Sequence, residues 1–111
     1  AGSTDHITPW RGCYRTTELF GGDVEFVLTN QNHTQTISNK PNKYMKYWIA
    51  EELPKEVDDW ITAAEEVKGS WRVHWIDWLK TRSGEEVAAE RTMGSEDYPP
   101  IDSAPGKFVL G

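Results

Sequence analysis

Apolar positions along the chain fall into one short run and two helical stripes, with polar stretches between them. The run covers residues 24–28 and has high β-propensity, so it predicts a strand. The first stripe, with apolar residues at 57, 60, 61 and 64, predicts a helix that begins near Pro54 and ends before Gly69. The second stripe predicts a helix capped by Ser70; its members are Trp71, Trp75, Trp78 and Leu79.

The remaining segments carry fewer signals. Residues 10–20 can form a helix, because Gly21-Gly22 ends the pattern. Residues 38–53 have no clean period and predict a loop, whereas Gly and Pro after residue 85 predict an extended tail. Since residues 68–70 make a short connection, we expect Trp60 and Ile61 to pack against the tryptophans of the second stripe.

A single predicted strand cannot form a sheet, because its backbone donors and acceptors need partners. We expect the partner to be residues 1–4, the tail or a second polypeptide. The pattern therefore predicts an α/β chain that is mostly helical, with one clear strand (24–28), and that forms part of a larger unit.

Composition excludes several classes of protein. The chain has 111 residues, enough for one small domain, and a formal net charge of -6, which disfavours nucleic acid as a partner. It contains no apolar run long enough for a membrane span, and its first residues lack the layout of a signal peptide. One cysteine, Cys13, allows no internal disulfide, so we expect a reducing, cytoplasmic setting.

Asp5 and His33 are the residues that suggest chemistry. Each would follow the end of a strand, in the order acid then histidine that a nucleophile-acid-histidine triad requires. Spacing alone favours a helix-capping Asp and a surface His. No two histidines stand at i, i+4, so we expect no metal site. We interpret Cys13 as a small, buried or half-buried thiol.

Four collinear motifs together cover nearly the whole chain. The first and second are the acid-bearing segment, residues 4–15, and a strand with its histidine loop, residues 21–35. The third is the Trp-rich helix with Arg82-Ser83-Gly84-Glu85, and the fourth is the closing run that ends in Ala104-Pro105-Gly106 and Phe108-Val109. These four motifs resemble the polyhydroxyalkanoate synthases, and the chain is thus similar to the C-terminal segment of such a synthase.

The resemblance implies an α/β-hydrolase fold and an acyltransferase that polymerises (R)-3-hydroxyacyl-CoA and releases CoA. It implies a Cys-His-Asp triad in which Asp5 is the acid and His33 the base, with no cofactor. The nucleophilic cysteine would lie upstream, because Cys13 has no Gly-x-Cys-x-Gly elbow around it. We therefore expect the chain alone to be inactive, and the intact enzyme to be cytoplasmic or associated with polyester granules.

The chain also departs from the family's pattern. Gln31-Asn32 replaces the small pair before the histidine, where Asn32 could adopt left-handed backbone much as Gly does. Asn39-Lys40-Pro41 and Arg72-Val73 replace other family residues. We divide the segment into acid and histidine loops (1–35), two Trp-rich helices (55–82) and the tail (85–111). An alternative is a non-catalytic fragment that pairs with a full-length synthase or with a second copy of itself, including a helical homodimer with a Trp core.

Overall fold

The computed structural model describes residues 1–89 and 92–111, and its secondary-structure elements are short. Four α-helices and three strands alternate along the first eighty residues. In chain order they are α1 (Trp10–Tyr14), β1 (Leu28–Thr29), α2 (Gln35–Ser38), β2 (Lys46–Ile49), α3 (Val57–Ala63), β3 (Glu65–Lys68) and α4 (Trp71–Lys80). Two 3-10 turns, Arg15–Glu18 and Phe108–Leu110, complete the described elements.

The strands form one antiparallel sheet in the order β1-β2-β3, with Leu28 opposite Trp48 and Tyr47 opposite Val67. Gly2 adds a parallel bridge to Thr29 on the other side of β1. The expected partner from residues 1–4 is therefore present, but β2 was wrongly assigned to a loop. Four residues are too few to show an alternating period, and pairing on both sides satisfies the backbone of β2.

The predicted strand at 24–28 is displaced. Only Leu28 of that run lies in β1, which continues to Thr29, and residues 24–27 have no regular structure. Phe26 is nevertheless buried in the core, so burial rather than ladder pairing explains the apolar run. The chain mixes helices with a small sheet, compatible with part of an α/β fold, and the expectation of a single strand was wrong.

The first predicted helical stripe divides into two elements. α3 ends at Ala63, and Ala64 is already extended, with ψ 133°, so the chain continues as β3 instead of reaching Gly69 in a helix. Gly69 has φ 118°, which favours glycine, and turns the chain into α4. α4 is confirmed as predicted, and the Ser70 side chain accepts a hydrogen bond from the Arg72 backbone N–H at 3.3 Å.

Trp60 is the centre of the core and is fully buried. Its ring lies 5.5 Å from Tyr14 and 5.0 Å from Phe26, and Leu28 completes the buried cluster. The predicted packing of Trp60 against Trp71, Trp75 or Trp78 is wrong, because β3 lies between α3 and α4 along the chain and replaces the short connection. The predicted helix at residues 10–20 is confirmed as α1 and the 3-10 turn after it, ending at Glu18.

The described residues after 85 are irregular apart from the 3-10 turn, and all of them except the half-buried Gly106 are exposed. Residues 90 and 91 of the predicted tail lie outside the described residues. None of the described helices combines the length and the apolar character needed to cross a bilayer.

Candidate functional site

Asp5 lies in a tight turn between the Gly2 bridge and α1. Its Oδ1 accepts hydrogen bonds from the backbone N–H groups of Ile7 and Thr8, both at 2.9 Å. Its Oδ2 accepts a hydrogen bond from the Thr8 hydroxyl at 2.7 Å. An Asp whose side chain bonds the backbone two and three residues later forms such a turn locally, and Pro9 then leads into α1.

His33 follows β1 in the loop that leads to α2. Its Nδ1 lies 2.9 Å from Asp5 Oδ2 and 3.4 Å from the Thr8 hydroxyl oxygen. The Asp5 side chain is 6% exposed and the His33 side chain 45% exposed, so the pair joins a covered carboxylate to an accessible ring. The triad that the family resemblance implies requires contact between the acid and the histidine, and that contact is present.

The loop before His33 does not use the left-handed backbone that Asn32 can tolerate. No residue other than glycine has positive φ among the described residues. The Asn32 side chain instead accepts a hydrogen bond from the Gln35 backbone N–H at 2.9 Å, at the start of α2. This hydrogen bond closes a local turn around His33 just before α2.

The pKa of Asp5 lies well below its usual range. Partial burial of the carboxyl group opposes this shift and would raise the pKa. The hydrogen bonds from Thr8, His33 and Ile7 stabilise the charged form and outweigh burial. Because an ionised carboxylate can only accept, Nδ1 of His33 must carry the proton. When the ring is neutral, Nε2 is the nitrogen without a proton, and it makes no hydrogen bond within the described residues.

Cys13 does not complete this arrangement. It lies in α1, and its thiol donates to the Thr8 carbonyl at 3.7 Å and not to His33. The side chain is partly buried and packs against the Trp60 cluster. This environment agrees with the interpretation of Cys13 as a packed thiol.

A second histidine also contacts a carboxylate. His74 on α4 lies with Nε2 2.7 Å from Glu25 Oε1, and its ring lies 5.8 Å from Tyr47. The sequence did not predict this contact, because no spacing rule links positions 25 and 74. The sequence did not predict a role for Thr8 either, although Asp side chains often form local turns of this kind. His6 is exposed, and no group of three His, Cys, Asp or Glu in the described part of the chain could hold a metal ion.

An open cleft of about 410 Å³ lies between α4, α2 and the residues before β1. Its wall is mostly apolar. Trp71 and Trp75 lie 5.7 Å apart, and the Trp71 indole N–H donates to the Thr36 carbonyl at 2.9 Å. Residues that line the cleft include Phe26, Thr36, Trp71, His74, Trp75 and Trp78.

Comparison with known proteins gives consistent relatives. The chain is 42% identical over 111 residues to poly(3-hydroxyalkanoate) polymerase 2 of Ectopseudomonas oleovorans, a match that covers 99% of this chain and 20% of the relative. Polymerase 1 of the same organism is 40% identical over 110 residues, covering 98% of this chain and 20% of the relative. The polymerase subunit PhaC of Cupriavidus necator is 35% identical over 106 residues, covering 95% and 18%. The chain thus spans about one fifth of these curated relatives. No protein-family model matches it.

Proposed function

We propose that this chain, which is homologous to one segment of the poly(3-hydroxyalkanoate) polymerases, supplies the acid and the base of a Cys-His-Asp triad. The observation that carries the proposal is the 2.9 Å contact between Asp5 Oδ2 and His33 Nδ1. This contact places the ring proton on Nδ1, so Nε2 of the accessible His33 ring is the nitrogen that can accept a proton. The segment corresponds to the C-terminal part of the enzyme, and the cysteine nucleophile belongs to a part of the enzyme outside these residues.

In this mechanism His33 moves protons and Asp5 orients it. Nε2 accepts the proton of the cysteine thiol, and the thiolate attacks the thioester carbonyl of (R)-3-hydroxyacyl-CoA. The bond to the CoA sulfur breaks, and CoA leaves as a thiol with the proton from Nε2. The hydroxyl group of a second acyl unit then gives its proton to Nε2, and its oxygen attacks the acyl carbonyl on the cysteine. The acyl–sulfur bond breaks, and the cysteine leaves as a thiol with the proton from Nε2. Asp5 stabilises the imidazolium that forms in each step.

The sheet supports an α/β-hydrolase fold for the intact enzyme. Residues near Gly2 pair in parallel with Thr29, and the acid and the histidine each follow one of these paired segments. Loops that follow neighbouring parallel strands meet at the same edge of a sheet, which is where such folds carry their catalytic residues. The antiparallel pairing of β1, β2 and β3 extends the sheet on the other side.

The test is CoA release from (R)-3-hydroxybutyryl-CoA, measured on an intact polymerase that carries this segment. His33→Ala should abolish release, and Cys13→Ala should retain it, because Cys13 only packs against the core. The 111-residue chain alone should release no CoA above background. Steady release by the chain alone, lost in both His33→Ala and Cys13→Ala, would make Cys13 the nucleophile and overturn the proposal. Steady release by the chain alone that is lost in His33→Ala but kept in Cys13→Ala would indicate hydrolysis by water.

A second candidate function is that of a fragment that associates with a polymerase or with a second copy of itself. The open cleft supports it, because Trp75 is 47% exposed there. The sequence suggested a second argument for association, a strand without a partner. The structure removes this argument, because β1 pairs with β2 and with Gly2. Size-exclusion chromatography at several concentrations tests this candidate. A concentration-dependent dimer that Trp75→Glu converts to a monomer would favour it, and a monomer at all concentrations would argue against self-association.

A further inference from the structure

Thr8 donates two hydrogen bonds to the same carboxylate, one to each oxygen. Its backbone N–H bonds Asp5 Oδ1 at 2.9 Å, and its hydroxyl bonds Oδ2 at 2.7 Å. The hydroxyl oxygen also lies 3.4 Å from His33 Nδ1, beside the contact between Asp5 and His33. Thr8 is therefore the one residue in the described structure that holds both ends of the Asp5 carboxylate.

We infer that Thr8 is a positioning residue for the Asp5–His33 pair, and this inference rests on the proposed function. The torsion that turns an Asp carboxylate is soft and roughly two-fold, so one anchored oxygen does not fix the plane of the group. Oδ1 is held by backbone donors alone. Among the described residues, the Thr8 hydroxyl is the only partner of Oδ2 besides His33. Thr8 thereby fixes the direction in which Oδ2 accepts from the imidazole.

The electrostatic effect of Thr8 acts in the same direction. Burial opposes the charged form of Asp5, and the two Thr8 donors are among the groups that nevertheless hold the Asp5 pKa low. A fixed, ionised acceptor keeps the proton of His33 on Nδ1 and leaves Nε2 free. Without the hydroxyl, the carboxylate can turn away, and the neutral ring can carry its proton on Nε2, where it cannot accept one.

Thr8→Val removes the hydroxyl with little change of shape, and Thr8→Ser restores it. The matched control is Thr16→Val, because the Thr16 hydroxyl donates to the Cys13 carbonyl at 2.7 Å in the same segment without touching Asp5. In an intact polymerase, Thr8→Val should lower kcat for CoA release about tenfold, as expected for one hydrogen bond to an ionised group, with little change in KM. Thr8→Ser and Thr16→Val should stay within about twofold of the unchanged protein.

A second readout does not depend on turnover. Nitrogen-15 NMR of the His33 ring in the 111-residue chain should show a proton on Nδ1 in the unchanged protein and in Thr8→Ser. Thr8→Val should show an increased fraction of the tautomer with the proton on Nε2. Thermal melts of the Thr8→Val and Thr16→Val chains, recorded alongside, report whether each variant folds.

The outcomes separate this inference from the proposed function. If Asp5→Asn leaves CoA release intact, the proposed function fails, while the NMR experiment still decides whether Thr8 orients the pair. If Thr8→Val matches Thr16→Val in kcat and in tautomer, the inference is overturned while the triad assignment stands. If Thr8→Val alone fails to fold, Thr8 is a structural residue, and the positioning role is equally overturned.

Discussion

Two histidines in this chain contact a carboxylate at almost the same distance, yet the two pairs are built differently. His33 meets Asp5 at 2.9 Å through Nδ1, and His74 meets Glu25 at 2.7 Å through Nε2. Asp5 accepts three further hydrogen bonds, from Ile7 and Thr8, and its side chain is 6% exposed. Glu25 has no other side-chain partner among the described residues and is 31% exposed.

The difference shows that a short contact does not by itself make a proton-transfer site. A useful base needs a fixed, ionised acceptor on one ring nitrogen and a free second nitrogen facing accessible space. Asp5 and His33 meet this requirement. In the other pair the acceptor is not fixed, because the Glu25 side chain accepts no further hydrogen bond among the described residues. The contact joins α4 to the segment before β1. We interpret the His74–Glu25 pair as a structural tether.

The two pairs also differ in what anchors them. The Asp5 turn leads directly into α1, whose Trp10 lies 6.3 Å from the buried Trp60 ring. His74 stands on α4, which contains no buried residue. The first pair is therefore built on the core, and the second lies at the edge of an open cleft.

The largest expected effect is the loss of CoA release when the Asp5 carboxylate is replaced by an amide, compared with the same replacement at Glu25. In an intact polymerase, Asp5→Asn should lower CoA release by about 10³–10⁴-fold, because an amide no longer enforces the reactive tautomer. Glu25→Gln, the same change in the tether, should alter it less than about threefold. Equal losses in the two variants would contradict the distinction between base and tether.

Loss of core packing should be the next largest effect. Trp60→Ala should cost about 3–5 kcal/mol of unfolding free energy, because a fully buried ring leaves a cavity beneath α1. Trp75→Ala should cost about 1 kcal/mol or less, since that ring is 47% exposed. Chemical denaturation of the two variants measures both values. A larger cost for Trp75→Ala would show that the cleft is closed in solution.

The stability that the Asp5 turn contributes should depend on pH. The folded pKa of Asp5 lies below the value of about 3.9 for an unfolded Asp, so its ionised form stabilises the fold above about pH 4. As pH falls through the folded pKa, this contribution is lost. The difference in unfolding free energy between the unchanged chain and Asp5→Asn should therefore be largest near neutral pH and shrink in acid. A difference that stays constant from pH 7 to pH 2 would contradict the lowered pKa.

The smallest effect concerns the tether itself. His74 and Glu25 side chains are 26% and 31% exposed, so their coupling should be about 0–1 kcal/mol. A double-mutant cycle with Glu25→Gln and His74→Gln, followed by denaturation, measures it. A coupling well above this range would mean that α4 depends on the pair for its position.

The sequence alone determined the features that arise within a few residues or within one regular element. Ser70 and the Trp stripe specify α4, because a cap and a 3.6-residue period act locally. The resemblance to a known family identified Asp5 and His33, because it depends on which residues occur and in what order along the chain. The glycines after residue 20 likewise marked the end of the first helix to within two residues.

Only the tertiary structure decided where the short strands pair and which tryptophans are buried. β2 and β3 are four residues each, and they exist because each satisfies the other's backbone groups across an intervening helix. Trp60 and Trp75 have the same periodic signal, yet the sheet covers one and leaves the other at the cleft. Thr8 and Glu25 acquire their roles in the same way, because the chain brings His33 and His74 to them from distant positions. Such long-range contacts leave no local signature, and folding alone brings them together.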